Sequence, residues 1–98
     1  MDRDLVLARL RAREMNLRAA GVRTLSLFGS VARGEAGATS DVDLAVTLDL
    51  GRPIGLLRYA GLREELAEIL ETKVDLVTEP VSKPRLQSRI DRDRVHVF

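Results

Sequence analysis

The eight residues Asp41-Val42-Asp43-Leu44-Ala45-Val46-Thr47-Leu48 decide the fold. Val42, Leu44, Val46 and Leu48 recur at every second position, the period of a half-buried β-strand, so they share one face while Asp41, Asp43, Ala45 and Thr47 share the other. Two carboxylates therefore project the same way from the start of a strand whose opposite side is apolar. Their α-carbons would lie about 6.5 Å apart, near enough for the side chains to share bound cations. Hard oxygen ligands suit Mg2+, which is usually held by one or two carboxylates together with waters and substrate phosphates. An isolated Asp-x-Asp pair is a weak signal, because acidic residues at strand starts are often solvated or cap a turn.

Upstream, Thr24-Leu25-Ser26-Leu27-Phe28 reads as a strand running into Gly29-Ser30, and Val31-Ala32-Arg33 as the first turn of a short helix. A glycine permits close backbone approach there, and the free amides of the first helical turn face an anion, so a triphosphate tail fits the turn. The competing reading is an ordinary strand-to-helix turn with Ser30 as N-cap. Arg33 could neutralise phosphate charge through a bidentate contact, or simply be solvated. The missing Gly-Lys-Ser/Thr sequence excludes a P-loop. Gly34 to Ser40 is small and glycine-containing, hence a loop, with Ser40 as its cap and Glu35 solvated.

Before the first strand, Leu5, Ala8, Ala12, Met15 and Ala19 recur at spacings of three and four. They predict one amphipathic helix closed by Gly21 and covering the sheet. After the Asp-x-Asp strand, Gly51, Pro53 and Gly55 mark a turn, and Tyr59, Leu62, Leu66 and Ile69 form the stripe of a helix over 56–70. Lys73 to Thr78 is a third strand. Val74 and Leu76 share one of its faces, and Asp75 and Val77 the other, so Asp75 can join the first two carboxylates; the alternative is pairing with Lys73 or an arginine at the surface. Residues 85–93 predict a short helix and Val95 to Phe98 a terminal strand, in which His96 serves packing or lies exposed rather than acting as a base. The expected class is α+β in two layers, a small mixed sheet covered on one face by helices.

With 98 residues, 45% of them hydrophobic, the chain is sized for one domain, residues 1–98, with one modest core. A net charge of +1 gives no electrostatic support for nucleic-acid binding. The absence of cysteine removes thiol nucleophiles, thiolate metal sites and disulfides. No stretch approaches the roughly 20 apolar residues of a membrane span, so the expected compartment is the cytoplasm.

Taken together, Gly29-Ser30-Val31-Ala32-Arg33-Gly34, Ser40-Asp41-Val42-Asp43-Leu44 and Val74-Asp75-Leu76-Val77 resemble the nucleotidyltransferases of the DNA polymerase beta superfamily, and most closely the minimal nucleotidyltransferase (MNT) family. The resemblance covers essentially the whole chain. It implies the nucleotidyltransferase fold, with Gly29 and Ser30 gripping nucleotide phosphates and Arg33 a further phosphate contact. It also implies that Asp41 and Asp43 ligate two Mg2+ ions and that Asp75 completes the site nearest the incoming hydroxyl. Members resemble antitoxins paired with a HEPN-domain toxin. The implied activity is transfer of AMP from ATP to a hydroxyl of that partner, plausibly a tyrosine, with loss of pyrophosphate. Two other readings fit the same residues: a non-catalytic antitoxin that neutralises by docking, and a small-molecule nucleotidyltransferase of the antibiotic-modifying type.

Overall fold

The computed structural model describes residues 1–35, 37, 41–49 and 55–98. The predicted turn at Gly51 and Pro53, the cap at Ser40 and most of the loop before it lie outside these. The chain forms α1 (Arg3–Arg11), α2 (Glu14–Ala19), β1 (Val22–Phe28), α3 (Gly29–Ala32), β2 (Val42–Leu48), α4 (Leu56–Leu70), β3 (Val74–Thr78), α5 (Pro84–Asp93) and β4 (Val95–His96). The strands join one sheet in the order β3-β2-β1-β4. β1 runs antiparallel to β2 and β4, and β2 runs parallel to β3, so the sheet is mixed.

The alternation in β2 sorts its side chains as expected. Val42, Leu44 and Val46 are buried in the main core with Leu25 and Leu27 of β1 and Val74 of β3, beneath α1, α2 and α4. On the opposite face Phe28, Ala45 and Ile90 form a second, smaller cluster with Val77, Val81 and Leu86 at its margin. α5 therefore packs on the side of the sheet that carries the aspartates, an addition to the expected single covering layer.

The N-terminal stripe is corrected. One helix along Leu5, Ala8, Ala12, Met15 and Ala19 is not what forms: the chain breaks into α1 and α2 around Ala12 and Arg13. Val6, Leu7, Leu10 and Leu17 are buried, whereas Leu5 is 42% and Met15 86% exposed. Two helical series one residue out of phase compete here. A buried Leu or Val gains about 1.5–3 kcal/mol against roughly 0.8 kcal/mol for a methyl group, so the series rich in large side chains wins over the one rich in alanine. The Asp2 carboxylate caps α1 by accepting from the Asp4 amide at 3.4 Å. Gly21, at φ +106°, closes α2 as expected.

In α4 the inward stripe is Leu62, Leu66 and Leu70. Tyr59 is half-buried and its hydroxyl donates to the Leu76 carbonyl on β3 at 2.9 Å, which fixes the start of this helix to the edge strand. His96 is exposed, in keeping with its expected non-catalytic place. Among the described residues no helix is long and apolar enough to cross a membrane.

A polar strap holds α5 against the sheet. Arg94 Nη1 donates to Ser26 Oγ at 2.9 Å and to Glu79 Oε1 at 2.8 Å, and Nη2 reaches Glu79 Oε2 and Asp91. Gln87 adds a donor to Glu79 Oε2 at 2.8 Å and accepts from the Val81 amide at 3.0 Å. Ser26 is only 1% exposed, so the guanidinium partners a hydroxyl that water does not reach. The Arg94 guanidinium holds the Glu79 carboxyl below its ordinary range. Because the folded pKa is depressed, the stabilisation is present above the unfolded pKa and fades as pH falls through the folded value. Replacement Glu79→Gln should cost about 1.5–3 kcal/mol at neutral pH, the worth of a charge-assisted hydrogen bond. Thermal melts should show this difference shrinking in acid below the ordinary carboxylate range; a constant difference across pH would contradict the assignment.

Candidate functional site

Phe28 is the register partner of Asp43, and Asp43 that of Asp75. The end of β1 and the starts of β2 and β3 are thus level with one another. Asp43 and Asp75 face the same side on neighbouring parallel strands about 4.8 Å apart. Asp41 stands just before β2, two residues from Asp43 and on the same alternation. Asp75 is exposed, and Lys73 does not pair with it: Lys73 Nζ lies 3.9 Å from Asp41, an exposed pair of little energetic weight.

The β1–α3 turn is built against this row. Gly29 has φ +79°, a region that side chains rarely adopt, and a Cβ placed on it would fall on Asp43 Oδ2 and within 3.0 Å of its Cγ. Both the backbone conformation and the contact therefore require glycine. Ser30 does not act as N-cap: the cap position belongs to Phe28, and no side chain caps the turn. α3 has only four residues, so any affinity for an anion comes from its local first-turn amides and not from a long helix dipole.

The electrostatics are those of an anionic pocket in which burial and neighbouring carboxylates outweigh the nearby cations. Burial pushes the Asp43 carboxyl above its ordinary range, and the charges of Asp75 and Asp41 add to the shift, while Arg89 and Arg33 oppose it. The negative charges of Asp75 and Asp41 thus work against the ionised form of Asp43. Among the described residues, no three His, Cys, Asp or Glu side chains are gathered as a ready metal cage. Hard oxygen donors around a half-buried, charge-crowded carboxylate nonetheless fit a cation that takes its remaining ligands from phosphate and water.

Arg33 is engaged by two carboxylates. Its Nη1 donates to Asp93 Oδ2 at 2.6 Å and its Nε to Glu35 Oε2 at 2.9 Å. Glu35 is exposed, as expected, and pairs with Arg33 at the surface, while Arg33 also ties the end of α3 to the buried Asp93 on α5. Sequence reasoning missed Arg89, which acts on Asp43 from α5. The run Leu86, Ile90 and Asp93 carried that helix's inward stripe, but nothing in the sequence told which face of the sheet it would cover.

Residues 9–96 match the Nucleotidyltransferase domain family. The chain belongs to that family. Its likeness to the minimal nucleotidyltransferases is close. It is 39% identical over 77 residues to the protein adenylyltransferase MntA of Thermococcus cleftensis, covering 79% of this chain and 76% of that protein. A solved structure described as a minimal nucleotidyltransferase superposes with a TM-score of 0.79 at 38% identity, covering 97% of this chain and 95% of the other. The complex of a tri-AMPylated Shewanella oneidensis HEPN toxin with its MNT antitoxin contains a chain matching at TM-score 0.63 and 21% identity, over 90% of this chain and 68% of that one, a likeness of fold.

Within this minimal nucleotidyltransferase, Gly29 is strained by any side chain. Gly29→Ala should cost about 1–3 kcal/mol in a thermal melt, the range for a strained backbone site, and displace Asp43. A variant that melts and binds nucleotide as the parent does would contradict the close approach.

Proposed function

We propose that this chain transfers AMP from ATP to a hydroxyl of a HEPN-type partner protein and silences it, as the antitoxin of a two-gene module. One observation carries the reading: Asp43 and Asp75 stand in register on adjacent strands with the Gly29 backbone packed against Asp43. The names of its relatives supply the substrate class, protein adenylyltransferase for MntA and an AMPylated HEPN toxin in the Shewanella complex.

In the proposed step the partner's hydroxyl oxygen attacks the α-phosphorus of ATP and forms a phosphodiester. The bond from that phosphorus to the α–β bridging oxygen breaks, the bridging electrons leave with pyrophosphate, and the hydroxyl proton passes to solvent. Asp41 and Asp43 would hold two Mg2+ ions, with Asp75 completing the one nearest the hydroxyl; when bound, such ions offset charge on the attacking and leaving oxygens. Gly29 and Ser30 offer first-turn amides to the phosphates from the β1 side of Asp43. In-line attack would bring the acceptor to the Asp75 side; a cleft of about 410 Å³ between α4 and the β3 edge, with Arg63 and Ala67 of α4 and Lys73, Val74 and Asp75 in its wall, adjoins it. The edge position of β3 leaves this side open to a side chain supplied by another protein.

Mass spectrometry of a co-expressed partner should show added adenylate. Asp43→Asn should abolish it, with loss exceeding about 100-fold if the carboxylate ligates the cation. Since Asp43 has a raised folded pKa, its neutral form is favoured on folding and the stabilisation is lost as pH rises through the folded value. Without cations the Asn variant should therefore melt at or above the parent at neutral pH, and it should lose the gain in melting temperature that Mg2+ with ATP gives the parent. An unmodified partner that still binds the parent would favour neutralisation by docking.

A further inference from the structure

Arg89 is the unexplained cation of the site. It is exposed on α5 and, among the described residues, forms no hydrogen bond or ion pair. Its place follows from the helix. Leu86, Ile90 and Asp93 face the sheet at spacings of four and three, and Ile90 is packed with Phe28 and Ala45, the register partner of Asp43 and the residue two beyond it. Gln87 and Arg94 lie on one flank of that stripe, where they bind Glu79. Arg89, three residues after Leu86 and four before Asp93, lies on the other flank. Asp93 marks the direction of that flank, because it grips Arg33 at the end of α3. Arg89 therefore stands one turn from that grip, on the α3 side of Asp43.

We infer that Arg89 is the guanidinium that binds the terminal phosphates of the nucleoside triphosphate, and that Arg33 instead fixes α3 to α5. The inference rests on the triphosphate being the substrate, as proposed above. Arg33 has both faces of its fork occupied by Asp93 and Glu35, and releasing it would leave a buried carboxylate without that partner. Arg89 has no such commitment. The sheet order places β3 with Asp75 on one side of Asp43 and β1, which leads into α3, on the other; in the proposed reaction the acceptor would enter on the first side and pyrophosphate would leave on the second. A free arginine there meets charge that is retained on the leaving group and absent from the transferred adenylate.

The test is calorimetric titration of the full chain, in Mg2+, with a non-hydrolysable ATP analogue and with AMP, alongside thermal melts. Arg89→Ala should weaken the triphosphate analogue by about tenfold or more, the scale of one charge-assisted contact, with AMP affinity and melting temperature close to the parent's. Arg89→Lys should recover part of the loss. Arg33→Ala should lower the melting temperature. The inference is overturned if Arg89→Ala binds the analogue as the parent does, loses AMP equally, or melts as low as Arg33→Ala. It is also overturned if only affinity for a co-expressed partner changes, which would make Arg89 a docking residue. A parent that binds neither nucleotide would sink the transferase reading itself.

Discussion

The contact on which the site depends is the approach of the Gly29 backbone to the Asp43 carboxylate. No side chain fits between them, so the β1–α3 turn is held against the acidic end of β2 as closely as two chains can lie. That approach places uncapped amides beside a carboxylate already short of counter-charge. Asp43 would hold a cation there, and such a cation would offset the carboxylate charge and attract phosphate to the amides, whereas neither group alone makes a strong site.

Everything else in the small chain serves to hold this junction. The antiparallel pairing of β1 with β2 sets Phe28 level with Asp43, and the parallel pairing of β2 with β3 sets Asp75 beside it. The leucine and valine layer under α1, α2 and α4 fixes the sheet from one side. On the other side α5 is secured at two points, through Arg94 to Glu79 and Ser26 and through Asp93 to Arg33. The aspartate face is consequently open at β3 and walled at α5.

The parts legible in the sequence were those in which one physical demand acts alone. Alternation in Val42 to Val46 and in Val74 to Leu76 fixed which way the aspartates face, because an apolar layer tolerates only one register. Gly29 could be read for its freedom of backbone, though its contact with Asp43 required coordinates. The N-terminal helix failed where two demands competed: Leu5 and Met15 matched the period, but burying Val6, Leu10 and Leu17 removed more apolar surface from water. The ion pair of Arg33 with Asp93 was not legible for a different reason: the two are 60 residues apart, and long-range ion pairs leave no periodic trace. α5 was seen as a helix, yet the face it covers is set by tertiary packing.

The central claim is most directly tested by anomalous diffraction from crystals grown with Mn2+ and a non-hydrolysable ATP analogue. The account predicts manganese peaks bonded to Asp43 and shared with Asp41 and Asp75, with the phosphate chain lying against Gly29 and Ser30. Manganese absent from these carboxylates while nucleotide is bound, or phosphates seated on another face of the sheet, would contradict it.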